Sequence, residues 1–180
     1  ASARKAFGKG KTGAKIDEAL GQLYAWCAEE NVPIIAHAAE SNGSSPGYEK
    51  RADPANWKAA VEAHPGLRVC LAHFAHFDQG LKTPKNPNPK LANTWEWHLA
   101  KLVDAQPEAV FADLSYCTAA LGAGKQGVRG AVVDMFSRLR KSFPDIWKRL
   151  IFGTDWIMLG QEEGFFNKLE NGGKQIGRAH

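Results

Sequence analysis

Arg68-Val69-Cys70-Leu71-Ala72-His73-Phe74-Ala75-His76-Phe77-Asp78 is the stretch whose reading decides the fold. Mostly apolar, strand-forming residues run without polar alternation into a histidine. A parallel strand buried on both faces reads this way when it delivers a polar side chain at its C-terminal end. Before it, Asp53 suits an N-cap, Pro54 suits the first helical position, and Trp57, Ala60 and Val61 make an apolar stripe. His64-Pro65-Gly66 ends that helix. Residues 53–73 thus read as helix, tight turn, strand and reactive residue.

The same unit recurs in both directions. Upstream, Ile16, Ala19, Leu20, Leu23, Tyr24 and Cys27 fall on one face of a helix over residues 15–30. A short strand at 32–36 follows, with Pro33 tolerated at its beginning, and it ends on His37. Residues 38–52 are polar and rich in Gly, Ser and Pro, and read as a loop beside His37. Downstream, a polar connection containing Pro84, Pro87 and Pro89 reads as an irregular loop of active-site type. Thr94 then caps a helix carrying Trp95, Leu99, Leu102 and Val103, which Pro107 stops. Strand 109–112 runs into Asp113-Leu114-Ser115. A glycine-rich turn at 122–127 leads to a helix with Val128, Val132, Met135, Phe136 and Leu139 on its face, ended at Pro144. A last strand at 150–152 opens through Gly153-Thr154 onto Asp155.

Four units therefore end on His37, His73, Asp113 and Asp155, at spacings of 36, 40 and 42 residues. That is the size of one βα unit with a generous loop. The pattern predicts an α/β fold with a parallel sheet, of (β/α) barrel TIM type, with its site at the C-terminal face of the strands. A doubly wound sheet is the rival, but no Gly-rich phosphate turn follows any strand.

At 180 residues and 44% hydrophobic, the chain can bury a core and fits a single domain, residues 1–180. Residues 1–14 and about 172–180 are expected to be loosely ordered. The net charge of +4 is spread along most of the sequence, but Arg4, Lys5, Lys9, Lys11 and Lys15 meet no acid in the first fifteen residues. A solvated N-terminus is expected there, not a nucleic-acid contact. Cys27, Cys70 and Cys117 sit in apolar patterns, which suggests buried, reduced thiols and a cytoplasmic protein. No run is apolar and long enough to span a membrane.

Imidazole and carboxylate on neighbouring strand ends can hold a divalent metal, since both donors suit zinc and its relatives. His37, His73 and Asp155 are the candidates; the bland alternative is that each bonds nearby backbone at a strand end. One such residue would favour the alternative, but three at matching positions favour the metal. Asp113 can simply start a turn and bond its own backbone. His76 faces either the cleft or the loop, while His64 and His98 read as structural or exposed. Gly43-Ser44-Ser45-Pro46-Gly47 fits G-x-S-x-G, but Pro46-Gly47 breaks any following helix and the strand stops at Ala36, so no nucleophile elbow is expected. Gly8-Lys9-Gly10-Lys11-Thr12 is similar to a P-loop, yet Lys5 stands where the first glycine belongs.

Four pieces in order carry a resemblance to a known family: Pro33-Ile34-Ile35-Ala36-His37, then residues 64–74, then Phe111-Ala112-Asp113-Leu114-Ser115, then Arg149-Leu150-Ile151-Phe152-Gly153-Thr154-Asp155-Trp156. Across residues 33–156 the chain resembles the amidohydrolase superfamily, in particular the amidohydrolase-2 group of metal-dependent hydrolases and decarboxylases. The resemblance implies an eight-stranded barrel of which these units are strands 5–8, the C-terminal half. It implies His37 and Asp155 as metal ligands, most fittingly to zinc, and His73 and Asp155 as catalytic. The substrate implied is a small carboxylated or cyclic molecule, cleaved at a C–O or C–N bond or decarboxylated; the substrate-binding residues stay open. The family's His-x-His pair from the first strand has no counterpart here, and a whole barrel needs about 200 or more residues. Two readings follow: part of a metal-dependent enzyme, or a non-catalytic half-barrel with a structural or partner-binding role. In either case exposed sheet edges imply a homo-oligomer or a missing N-terminal half, and a chain that associates when expressed alone.

Overall fold

Apolar runs at the predicted places pair into one sheet. The computed structural model describes residues 11–39, 49–77, 80–83, 86–87, 89–116, 126–153 and 155. The expected N-terminal arm before residue 11, Cys117, the serine of the G-x-S-x-G match and the C-terminal tail lie outside them. In chain order come α1 (Lys11–Glu29), β1 (Ile34–His37), α2 (Trp57–Ala63), β2 (Val69–Ala72), β3 (Leu81–Thr83), β4 (Asn86–Pro87), α3 (Trp95–Ala105), β5 (Val110–Asp113), α4 (Gln126–Ser142) and β6 (Leu150–Ile151).

The main sheet has the order β1-β2-β5-β6, with every pair parallel. Ile35 is level with Cys70 and Cys70 with Phe111; nearer the C-terminal ends, His37 is level with Ala72 and Asp113 with Ile151. Alternate side chains of a strand point to opposite faces. Val69, Leu71, Val110 and Ala112 turn to one face and meet Val61 of α2, Leu99 and Val103 of α3, and Val132, Met135 and Leu139 of α4 in a single core. Each such buried side chain stabilises the fold by about 1.5–3 kcal/mol. The residues between them, Ile35, Cys70 and Phe111, turn to the other face with His37 and Asp113. Side chains on that face stay exposed at both edges of the sheet: Ile35 on β1 is 76% exposed and Ile151 on β6 46%.

Local chemistry explains most boundaries. Thr94 Oγ1 accepts from the Trp97 N–H at 3.3 Å and donates to the Leu91 carbonyl at 2.8 Å, capping α3 as the sequence implies. Asp53 Oδ1 accepts from the Ala55 N–H at 2.9 Å, but the helix it opens begins as a 3-10 turn, Pro54–Asn56, before α2 proper. Gly66 adopts φ +92°, which closes the turn from α2 into β2 where a side chain would be strained. Asn31 ends α1 in the left-handed region at φ 57°, and its carbonyl accepts from Arg68 Nη2 at 2.7 Å.

Three expectations need correction. First, α1 begins at Lys11 and not at residue 15, with Gly13 buried in its first turn. Its apolar stripe is also only partly covered: Cys27 is buried, Tyr24 packs on Trp57 and His64, and Leu23 and Trp26 face solvent. Second, the proline-bearing connection after residue 80 is not wholly irregular. Leu81–Thr83 and Asn86–Pro87 pair antiparallel, and a two-stranded ribbon leaves Pro87 free of any need for a second ladder bond. Third, β6 ends at Ile151, one residue short.

Candidate active site

The C-terminal edge of the sheet is built around an unusual turn. Directly after β2, His73, Phe74, Ala75 and His76 take φ values of 72°, 43°, 59° and 54°, four consecutive non-glycine residues in the left-handed region. Each costs about 1–2 kcal/mol, so the surroundings must hold the turn in place. They do so from two sides. Phe74 is fully buried with its ring 5.0 Å from that of Phe136 on α4, and Ala75 is buried beside it. From the neighbouring strand, Asp113 Oδ1 accepts the His73 N–H at 2.8 Å.

The turn brings three imidazoles together. His73 lies 4.9 Å from both His37 and His76, ring centre to ring centre, and His37 and His76 are 6.4 Å apart. The Tyr116 ring stands 5.5 Å from His76 on the far side. Asp155, also in the left-handed region at φ 50°, lies near enough for its charge to favour protonation of both His37 and His76. His37, His73 and Asp155 therefore share one edge of the sheet. His76 joins them, its ring 4.9 Å from that of His73.

Asp113 does more than start a turn. Its Oδ1 accepts from the Ser115 N–H at 2.9 Å, as the local reading implies, but also from Ser115 Oγ at 2.6 Å and from His73 across the strand gap. Its Oδ2 accepts weakly from the Cys70 thiol at 3.9 Å. Burial, then the Asp113 charge and that bond, push the Cys70 thiol up to about 11, so it sits there as a thiol and not as a nucleophilic thiolate. Gly153 lies against this cluster: a Cβ added there would come within 2.9 Å of Ser115 Cβ. His64 packs on Tyr24, and His98 Nδ1 meets Asp53 Oδ1 at 3.4 Å, both away from the cleft.

Burial disfavours positive charge on His37 and His76. Burial foremost, then His73 and His37, lower the His76 pKa to about 4 against the opposing pull of Asp155. His37 is lowered too, by burial and by His73, with the Ala39 backbone and Asp155 opposing. A folded-state pKa below the unfolded value of about 6.5 means that the unfolded chain binds more protons in acid. Stability is then fully present above about 6.5 and falls with pH until it levels off near 4. In the presence of a chelator, the urea midpoint is expected to be lower at pH 5 than at pH 7.5, and His76→Asn should shrink the difference. Equal midpoints for the unsubstituted protein would contradict the lowered values.

The donors fit a divalent metal in type but not in number. His76 Nε2 is buried with no hydrogen-bond partner, so the cleft holds an imidazole nitrogen that lacks the satisfaction buried polar atoms normally have. Yet no three His, Cys, Asp or Glu among the described residues are arranged so that they could hold an ion. His37 and Asp155 offer two ligands of the right chemistry where zinc sites use three or more.

His76 and Ser115 were the residues least accessible to sequence reasoning. The His73–His76 spacing signals a shared side only if the intervening backbone is a tight turn, and nothing in Phe74-Ala75 announces one. A family model described as an amidohydrolase matches residues 11–168. No curated protein and no solved structure matches the chain. Among the described residues no helix is long and apolar enough to cross a membrane.

Proposed function

This chain belongs to the amidohydrolase family, and from that premise we propose that it carries part of a metal-dependent active site, acting on a small carboxylated or cyclic substrate. The reaction proposed is hydrolysis of a C–O or C–N bond, or decarboxylation. The observation that carries the reading is the gathering of His37, His73 and His76, with Asp155 close by, at the C-terminal edge of a four-stranded parallel sheet. Such an edge is where barrel enzymes keep their chemistry, and the sheet is compatible with part of a TIM-like barrel.

In this proposal His37 and Asp155 are two ligands of a divalent ion of the zinc class, and the remaining ligands come from a second copy or from further sequence. Held by these residues, such an ion would supply Lewis acidity for a substrate carbonyl and for a bound water. His73 transfers the proton, a role that a positioned imidazole can fill. Asp155 shares in proton transfer as well as ligation. His76, kept neutral, packs against His73 and Tyr116 beside the site. The exposed Ile35 and Ile151 on the edge strands support a further proposal: a second copy, or sequence beyond these residues, covers the open face, which leaves a half-barrel role open for this chain by itself.

The test is metal dependence. Assayed on a panel of small lactones, amides and carboxylated aromatic compounds, the working enzyme is expected to lose turnover on exhaustive chelation and regain it with added zinc. Turnover that is indifferent to chelation would sink the reading.

A further inference from the structure

We propose that Ser115 is a positioning residue for His73: anchored by Asp113, its hydroxyl holds the proton of the neutral imidazole on Nδ1 and thereby leaves the basic lone pair on Nε2. The proposal rests on His73 being the proton-transferring residue of the site described above, but the bonding that carries it is independent of any substrate.

The argument is an accounting of protons. Asp113 Oδ1 accepts two backbone N–H groups, from His73 at 2.8 Å and from Ser115 at 2.9 Å. An oxygen that accepts two such bonds has its lone pairs engaged and carries no proton of its own. The 2.6 Å contact between that oxygen and Ser115 Oγ must then use the serine's own proton. A hydroxyl has a single proton, so towards His73 Nδ1, 2.9 Å away, Ser115 Oγ can only accept. The Ser115 carbonyl, 3.3 Å from Nδ1, is also only an acceptor. Both neighbours therefore call for a proton on Nδ1. In a neutral ring the other nitrogen is then the base.

The same accounting rules out Ser115 as a nucleophile. Its hydroxyl is committed to Asp113 and the residue is only 5% exposed, whereas a catalytic serine gives its proton to the imidazole and faces the substrate. The arrangement Asp113–Ser115–His73 does the work that a carboxylate alone does in other histidine-based sites: it orients the ring and fixes its tautomer. Gly153 completes the device, since its lack of a side chain leaves room for Ser115 to sit in this position.

Histidine labelled with nitrogen-15 in the full chain reads the tautomer directly through long-range proton–nitrogen correlations. The spectrum is recorded at alkaline pH, with His73 assigned by its loss in His73→Gln. The expected wild-type pattern is a protonated, pyrrole-type Nδ1 and a pyridine-type Nε2. Ser115→Ala should shift His73 towards the other tautomer, and Ser115→Thr, which keeps the hydroxyl, should restore the wild-type pattern. In the working enzyme Ser115→Ala should lower kcat by about 10–100-fold and leave KM nearly unchanged. A wild-type spectrum with the proton on Nε2 overturns the proposal, and it decides the matter even if the alanine variant does not fold. A Ser115→Ala spectrum identical to wild type overturns it as well. Because the spectrum needs no turnover, failure of the hydrolase reading would leave this result standing, and the reverse is also true.

Discussion

His73→Ala is expected to lower turnover of the working enzyme by about 10²–10⁴-fold, the usual contribution of a positioned proton-transferring group. The loss should fall on kcat. His73 sits between His37 and His76, with its backbone N–H on Asp113 and Nδ1 on Ser115. Removing the ring takes away the proton-transferring group while the backbone bond to Asp113 can persist, so KM should move by only a few fold. Measured on whichever panel substrate the unsubstituted enzyme turns over fastest, wild-type kcat in His73→Ala would remove His73 from the chemistry. A rise in KM with kcat intact would instead make it a binding residue.

The largest effect on stability is expected at Phe74. Its ring is wholly buried against Phe136 and belongs to the second of four left-handed residues. Phe74→Ala should destabilise the fold by about 3–5 kcal/mol through lost burial and the cavity that remains. It should also reach the site, because the strained turn persists only while its surroundings hold it. Without the Phe74 anchor, His73 and His76 lose their shared orientation, and activity should fall under conditions where the protein is still folded. Phe74→Leu, which refills much of the space, should recover most of the stability. Denaturant midpoints for the two variants check this; a loss below about 1 kcal/mol for Phe74→Ala would mean that the turn is held by something else.

The sheet was legible in the sequence because its strands are uninterrupted apolar runs, the pattern of parallel strands built for burial on both faces, although among the described residues one face keeps exposed side chains such as Ile35. Val69-Cys70-Leu71-Ala72 and Val110-Phe111-Ala112 could hardly be anything else, and the polar residue closing each run marked the C-terminal edge. What stayed hidden depends on contacts distant in sequence. The left-handed path of 73–76 is imposed by Phe136, some sixty residues on, and by Asp113, forty residues on. With no glycine or asparagine to announce it, the placement of His76 could not be read. Asp113 showed its local half, the bond to Ser115, but its bond to His73 exists only once β2 and β5 are neighbours. The stripe of α1 misled for a related reason: helical periodicity reports a face capable of burial, and in this chain Leu23 and Trp26 on that helix are not covered.

The central claim is that this chain contributes His37 and Asp155 to a divalent-metal site that it does not complete alone. Zinc titration of the 180-residue chain by calorimetry, with and without His37→Ala, addresses it most directly. Two ligands hold a dehydrated cation poorly. The account predicts binding weaker than micromolar, reduced further by His37→Ala. Sub-micromolar binding abolished by His37→Ala would show that the chain completes the site by itself, and sub-micromolar binding indifferent to His37→Ala would put the metal elsewhere; either result contradicts the account.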